Sequence, residues 1–338
     1  MMKNYLNQIK LGILFCFKEL AFANTCGEFA YEQRFTTPSP LTPCFTLQFS
    51  KSFEYIKIVF MVFMGFFAFE ANAQIVQASS VNEIKTYASQ FDGENTLILF
   101  DLDYVLFVPR DSVLRYAGEK DNYRSKHLKA IFKDFQGKEI ALNGRKVPMA
   151  EYLTSQILSS IKVELLSLDM PNFVNELDAQ KMTIVGFTAN SSGNYGIVQN
   201  EAQLHLSRLK SLGYHFKDNG DLLKEDFPKC ISRVIFTNKI DKGKVLLGFL
   251  EQLNKNYKNI IFVDDHLKNL ISVQNVLKDK YPQINYLGIH YTELKDKNEV
   301  LNQDIADKQF QVLSQDHIWL SDDEAQARLK MRSIRNSD

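Results

Sequence analysis

Six side chains at four places in this 338-residue sequence have types and spacings that chemistry can use. Asp101 and Asp103 stand one residue apart in "LILFDLDYVLF", after a run that otherwise reads as a buried strand. Thr188 closes "IVGFT", Lys242 stands in "DKGKVLLGFL" just before a helical pattern, and Asp264 and Asp265 end "IIFVDD". Carboxylates brought together repel and raise one another's pKa unless a cation is present. A hard divalent ion with oxygen ligands meets that need, and magnesium is the usual one where phosphate is also bound. An aspartate facing a phosphate in such a site can attack phosphorus. A lysine and a hydroxyl, here Lys242 and Thr188, can share the charge that develops on the equatorial oxygens. Asp103, two residues on, can protonate the leaving oxygen and later deprotonate the hydrolytic water. Lys244 competes with Lys242 for the cationic role, although the Lys-Gly placement favours Lys242.

Such groups need a frame. Short β-rich apolar runs occur at Thr96–Phe100, Met182–Phe187, Arg233–Thr237, Asn259–Asp264 and Ile284–Tyr291. Helical periodicity occupies Glu201–Gly213, Gly243–Asn254 and His266–Asp279. Strands apolar on both faces and separated by helices predict a doubly wound, mainly parallel α/β sheet covered on both sides. The carboxyl ends of its strands are where a ligand binds. About eighty residues separate the first of these strands from the second, far more than one crossover helix needs. Their composition predicts a helical cap inserted over roughly residues 108–180, standing over the sheet edge.

The four motifs, in this order and on these element ends, resemble those of the haloacid dehalogenase-like (HAD) superfamily of phosphohydrolases across Leu97–Leu270. Val105 takes the fifth position of the first motif, a variant that the family admits. The resemblance implies a Rossmann-like core with Asp101 as nucleophile and Asp103 as acid/base, its main-chain carbonyl on the metal. Thr188, the adjacent Ala189 and Lys242 would bind phosphate. Mg2+ would be held by Asp101, Asp103 and Asp264, with Asp265 in support. Asp103 favours phosphatase over dehalogenase activity, because a dehalogenase does not need that acid. The tail "FQVLSQDHIWLSDDEAQARL", with "GIHYT" before it, resembles a group of uncharacterised bacterial HAD-like proteins.

Other residues carry weaker signals. Asn190, Ser191 and Ser192 follow the second motif, and His266 and Asn269 follow the acidic pair. His127, His205, His215, His290 and His317 lack metal-ligand spacing. Tyr104, Phe107, Tyr116 and Tyr123 could contact a leaving group, and Arg110 and Arg115 could bind an anion, although packing explains the aromatic set equally well.

Forty basic residues balance forty acidic ones, so no global field argues for nucleic acid or an anionic membrane surface. Lys51 and Lys57, the apolar run Ile58–Phe69 and Ala71-Asn72-Ala73 read as a secretory signal peptide cut after Ala73. The run is too short to span a bilayer, which takes about 20 residues. The chain is therefore expected to divide into a leader, 1–73, and a domain, 74–338, exported to the periplasm or beyond with no stable membrane span. Cys16, Cys26 and Cys44 lie in the leader, which leaves the mature chain only Cys230 and no intrachain disulfide. The expected activity is Mg2+-dependent hydrolysis of a small phosphomonoester through an aspartyl-phosphate. Two alternatives stay open: a phosphotransferase, and a non-catalytic binding protein that keeps the site. A receiver domain fits worse, since its acidic pair lies on the first strand and its phosphoacceptor on a later one.

Overall fold

The computed structural model describes residues 73–115, 123–216, 229–253, 256–296 and 300–335. Residues 1–72, with most of the expected signal sequence and three cysteines, lie outside the described residues, as does Tyr116. In the first half of the domain the order is β1 (Ala73–Ala78), α1 (Val81–Ala88), β2 (Thr96–Phe100), β3 (Phe107–Pro109), α2 (Ser112–Arg115), α3 (Tyr123–Asp134), β4 (Glu139–Leu142), β5 (Arg145–Pro148), α4 (Met149–Ser160), β6 (Val163–Leu165), α5 (Met170–Ala179) and β7 (Thr183–Thr188). The second half runs α6 (Glu201–Ser211), β8 (Lys229–Ile231), β9 (Val234–Phe236), α7 (Lys242–Gln252), β10 (Asn259–Asp264), α8 (Leu267–Lys280), β11 (Asn285–Tyr291), α9 (Glu293–Asp296), α10 (Gln303–Asp316) and α11 (Asp322–Arg335).

Seven strands form the central sheet in the order β1-β11-β10-β2-β7-β9-β8. All neighbours are parallel except β8, which pairs antiparallel with β9. The strands are apolar throughout because both faces are covered. Along β2, Ile98 and Phe100 join the core under α1, α5 and α6, while Leu97 and Leu99 join the core under α7 and α8. β10 alternates the same way, Ile261 and Val263 against Ile260 and Phe262. The sequence reading had no counterpart for β1. Its "AQIVQA" pairs with β11 from Ala73, at the residue after which cleavage was expected.

From β2 the chain winds to β7 and β9 on one side, then returns to lay down β10 and β11 on the other. The winding direction therefore reverses between β2 and β10. At such a point the loops diverge and leave a crevice beyond the carboxyl ends, and the acidic motifs end these two strands.

The long interval between β2 and β7 is not all helix, which corrects the expectation of a helical cap over 108–180. Ile161 is extended and ends α4, and "VEL" then pairs antiparallel with β3. β4 and β5 form a hairpin around Asn143-Gly144, both in left-handed backbone. α5 belongs to the sheet: Met170, Phe173, Val174 and Leu177 pack in the main core. What remains, α2 to α4, packs on the C-terminal helices. Val113, Ile131, Met149, Leu153 and Ile157 form one buried cluster with Ala306, Phe310, Leu313 and Trp319. The buried Asp111 carboxylate fixes this joint by accepting from Trp319 Nε1 at 2.8 Å and from the Asp322 amide at 3.1 Å. In return Asp322 Oδ2 accepts from the Ser112 amide at 2.9 Å. Among the described residues no helix is long and apolar enough to cross a membrane.

Candidate active site

Strand register alone brings the two acidic motifs together. Phe100 pairs with Val263 in the parallel β2–β10 ladder, and the Asp101 amide donates to the Val263 carbonyl at 2.9 Å. Asp101 thus stands one step beyond the last pair, beside Asp264. On the other side Phe100 pairs with Gly186, so Thr188 ends β7 two residues further along the same edge. Asp101, Thr188, Lys242 and Asp264 are all buried.

Lys242 bridges the two motifs. Its Nζ lies 3.0 Å from Asp101 Oδ1 and 2.7 Å from Asp264 Oδ2. Lys244, the competing lysine, is exposed. Gly243 explains the difference, because a Cβ there would lie 2.6 Å from the Ser272 carbonyl of α8. Only glycine lets α7 start this close to α8, and that start carries Lys242 inward. Asp241 caps α7 by accepting from the Lys244 amide at 3.1 Å and is itself held by Ser272 Oγ at 2.6 Å.

Burial, more than any other cause, pushes the Asp101 carboxyl well above the usual range; Lys242 opposes this, and Asp264, Asp265 and Asp103 add to it. For the Lys242 ammonium, burial works in the opposite direction, but Asp101 and Asp264 outweigh it and the net shift is upward. Lys242 pairs with Asp101 and Asp264, while the half-buried Asp103 and Asp265 add further negative charge beside Asp101, so the carboxylates outnumber the lysine. A hard cation with oxygen ligands fits that excess. Asp264, Asp265 and His266 can each offer a ligand atom, all within 4.8 Å of one another. Asp264 is already well occupied by protein donors: Lys242, the His266 amide at 2.7 Å, and Asn269 Nδ2 at 3.1 and 3.0 Å from its two oxygens. Asp265 Oδ1 lies 2.8 Å from His266 Nδ1, and that contact is the first cause raising the imidazole pKa, ahead of the opposing effect of burial.

Asp103 accepts from Asn190 Nδ2 at 2.7 Å, so the loop after the second motif orients it. Thr188 Oγ1 accepts from the Asn190 amide at 3.2 Å. Ala189 is exposed next to Thr188, and its carbonyl accepts from the Lys239 amide at 2.9 Å. The Ser191 and Ser192 amides bond Glu201 Oε2 and Asn238 Oδ1, a scaffolding role for the loop.

The remaining histidines, arginines and aromatics sort differently. His205 is fully buried and stacks on Phe107, His127 stacks on Phe310, and His317 sits edge-on to Phe135. His290 Nε2 lies 3.1 Å from the Asp265 carbonyl. Arg110 and Arg115 both pair with Glu164. Phe107 is a core residue, and Tyr123 joins the helical cluster with its hydroxyl on Asp307. Cys230 lies half-buried on β8. Of the described aromatic candidates Tyr104 is the one that reaches the site, and for a backbone reason. It takes a left-handed conformation, φ 64°, directly after Asp103, at a cost of about 1–3 kcal/mol for a non-glycine residue. That turn is closed by its amide on the Phe107 carbonyl at 2.8 Å. The Tyr104 hydroxyl donates to the Leu114 carbonyl at 2.9 Å and accepts from Arg124 Nη1 at 2.7 Å. Arg124 was missed by the sequence reading, since it lies in a helix rich in basic residues with no motif around it.

A family model described as a protein of unknown function (DUF2608) matches residues 77–326. Similar curated proteins include the Rickettsia conorii "Uncharacterized protein RC0398", 25% identical over 269 residues, covering 74% of this chain and 86% of that protein. The Rickettsia prowazekii "Uncharacterized protein RP295" is 25% identical over 257 residues, with coverage of 69% and 81%. A Chlamydia trachomatis protein named "Putative outer membrane protein" is 23% identical over 244 residues, with coverage of 71% and 85%. No solved structure matches.

Proposed function

The chain belongs to the DUF2608 family, whose description leaves the activity open, and from its own side chains we propose that it is a Mg2+-dependent phosphomonoester hydrolase of haloacid dehalogenase-like type. The observation that carries this reading is Lys242 held between Asp101 and Asp264 at the winding reversal of the sheet, with Asp103 two residues beyond Asp101 in an oriented turn. In the first step an Asp101 carboxylate oxygen bonds to phosphorus as the bond to the leaving oxygen breaks, and Asp103 gives that oxygen a proton. In the second, Asp103 takes a proton from water, the water oxygen bonds to phosphorus, and the Asp101–phosphorus bond breaks to release inorganic phosphate. Lys242 and the Thr188 hydroxyl bind the phosphoryl oxygens and share the charge that builds on them. Mg2+, when bound, supplies the charge that lets Asp101 stay ionised beside a phosphate. Asp101, the Asp103 carbonyl and the acidic pair would hold it, Asp265 being the member of the pair with fewer protein donors.

The helical unit made by α2 to α4 with the C-terminal helices serves as the cap, which limits the substrate to a small phosphomonoester. Export through the segment at 51–73 agrees with the name of the Chlamydia relative. The test is hydrolysis of phenyl phosphate by the purified protein with Mg2+, with chelator, and in Asp101→Asn. Turnover that needs the metal and disappears in the variant is expected. No turnover by folded, Mg2+-bound protein would overturn the proposal.

A further inference from the structure

A cavity of about 340 Å³ opens beside the acidic turns, bounded by Tyr104 from the first and Asp265 from the second. Its size suits a small organic ligand, and its far wall is supplied by α2, α3 and α9. The charges on that wall are uneven. Arg115 pairs with Glu164 at 2.5 Å, which offsets it. Asp265 stands at the boundary with the cation site. Arg124 is different: among the described residues its partners are two neutral oxygens, the Tyr104 hydroxyl at 2.7 Å and the Leu114 carbonyl at 2.6 Å. Lys295, which α9 adds to the lining, is exposed. Leu114 and Leu294 add apolar surface to the lining. A half-buried guanidinium turned toward neutral acceptors keeps donor capacity for an anion, and an arginine fork suits a carboxylate or phosphate.

We propose that this cavity is an anion subsite for the leaving group, so that the substrate is a phosphomonoester whose alcohol carries a second anionic group, recognised by Arg124 and Lys295. The assignment rests on the hydrolase reading of Asp101 and Asp103. The link between them is Tyr104, whose backbone follows the acid/base directly and whose hydroxyl holds Arg124. A leaving group released at Asp103 is therefore next to the cavity.

The experiment compares three aryl phosphates on the full chain with Mg2+: phenyl phosphate, 4-carboxyphenyl phosphate and 4-(phosphonomethyl)phenyl phosphate. The readout is the ratio of kcat/KM for each anionic substrate to that for phenyl phosphate, in wild type, Arg124→Gln and Lys295→Gln. A wild-type ratio of roughly ten or more, as one charge-assisted contact would give, is expected, falling toward one in both variants. The carboxylate and phosphonate arms show which anion is preferred. Lys295 is exposed, so Lys295→Gln keeps the test alive if Arg124→Gln misfolds. Wild-type ratios near one, with phenyl phosphate still hydrolysed in an Asp101-dependent way, would overturn the subsite and spare the hydrolase. Ratios unchanged by both substitutions would do the same. If no substrate turns over, the hydrolase reading fails, and calorimetric binding of 4-carboxyphenyl phosphate decides the subsite separately. Binding at least tenfold tighter than phenyl phosphate and weakened by Arg124→Gln would uphold it, and equal or undetectable binding would overturn it.

Discussion

The site at the strand ends and the helical unit built from the insertion and the C-terminal helices are assembled by opposite means. Asp101 and Asp264 are neighbours because β2 and β10 lie in register, and a backbone ladder fixes that whatever the surrounding side chains. The helical unit depends on side chains alone: Val113 and Leu153 of the insertion share a cluster with Phe310 and Trp319, which follow Val113 by about 200 residues. The first arrangement places ionisable groups where folding gains nothing from them. The second gains stability and carries no reacting group. Function and stability are therefore expected to separate between the two regions.

The largest expected effect tests the first half of that contrast. Asp101→Asn should lower phenyl phosphate turnover by roughly 10³-fold or more, as loss of a nucleophile does, with no loss of stability in urea unfolding. A variant that unfolds more easily than wild type would show that the site also supports the fold. Trp319→Ala should behave the other way. Removing a buried aromatic ring costs about 3–5 kcal/mol, and here the Asp111 carboxylate also loses a donor. The urea midpoint should fall with an unchanged m-value, while turnover per folded molecule survives. Equal losses of both would erase the distinction.

The same contrast explains what could be read in advance. β2 and β10 match their expected spans residue for residue, because a strand buried on both faces writes its length as an unbroken apolar run. The acidic ends of those runs were legible for the same reason. Choosing Lys242 over Lys244 was legible through Gly243, whose lack of a side chain the α7–α8 approach requires. Nothing in "FQVLSQDHIWL" reveals that Phe310 and Trp319 face Val113, since amphipathic helices state that they have a partner and leave open which one. Arg124 was hidden by its neighbours in a basic helix, and Tyr104 was legible as one aromatic candidate among four, set apart from Phe107 and Tyr123 only by the positive φ that follows Asp103. β6 was read as helix because a three-residue strand has too few positions to show a period.

A third expectation sharpens the claim that the acidic site costs stability. The Asp101 carboxyl is raised in the folded protein, chiefly by burial, so the native state binds its proton more tightly than the unfolded chain does. Stability from this group is full below the unfolded carboxylate value, near pH 4, and is lost as pH rises through the folded value. In chelator, the melting temperature of wild type should therefore fall relative to Asp101→Asn as pH goes from 4 to 7. A gap of order 1 kcal/mol would be about 2–4 °C for a chain of this size. Mg2+ should close the gap, because the ion takes over the charge compensation. Parallel curves in chelator would mean that Lys242 already neutralises the site.

The smallest effect belongs to the helical unit. Ser321 and Glu324 form a reciprocal cap at the start of α11: the Ser321 amide donates to Glu324 Oε2 at 2.8 Å, and the Glu324 amide donates back to Ser321 Oγ at 3.4 Å. The Ser321 amide is the first cause lowering the Glu324 carboxyl, followed by its hydroxyl. A lowered carboxylate stabilises above its unfolded value, and that contribution is lost as pH falls through the folded one. Ser321→Ala should cost about 0.5–1 kcal/mol near neutral pH and less in acid, read from urea midpoints. Trp319 and Ser321 adjoin the same Asp111–Asp322 joint, so their substitutions should not add: once Trp319→Ala has loosened the joint, Ser321→Ala should cost less than it does alone. Strict additivity would mean that α11 is held independently of the insertion, and the helical unit would then be two packed pieces rather than one.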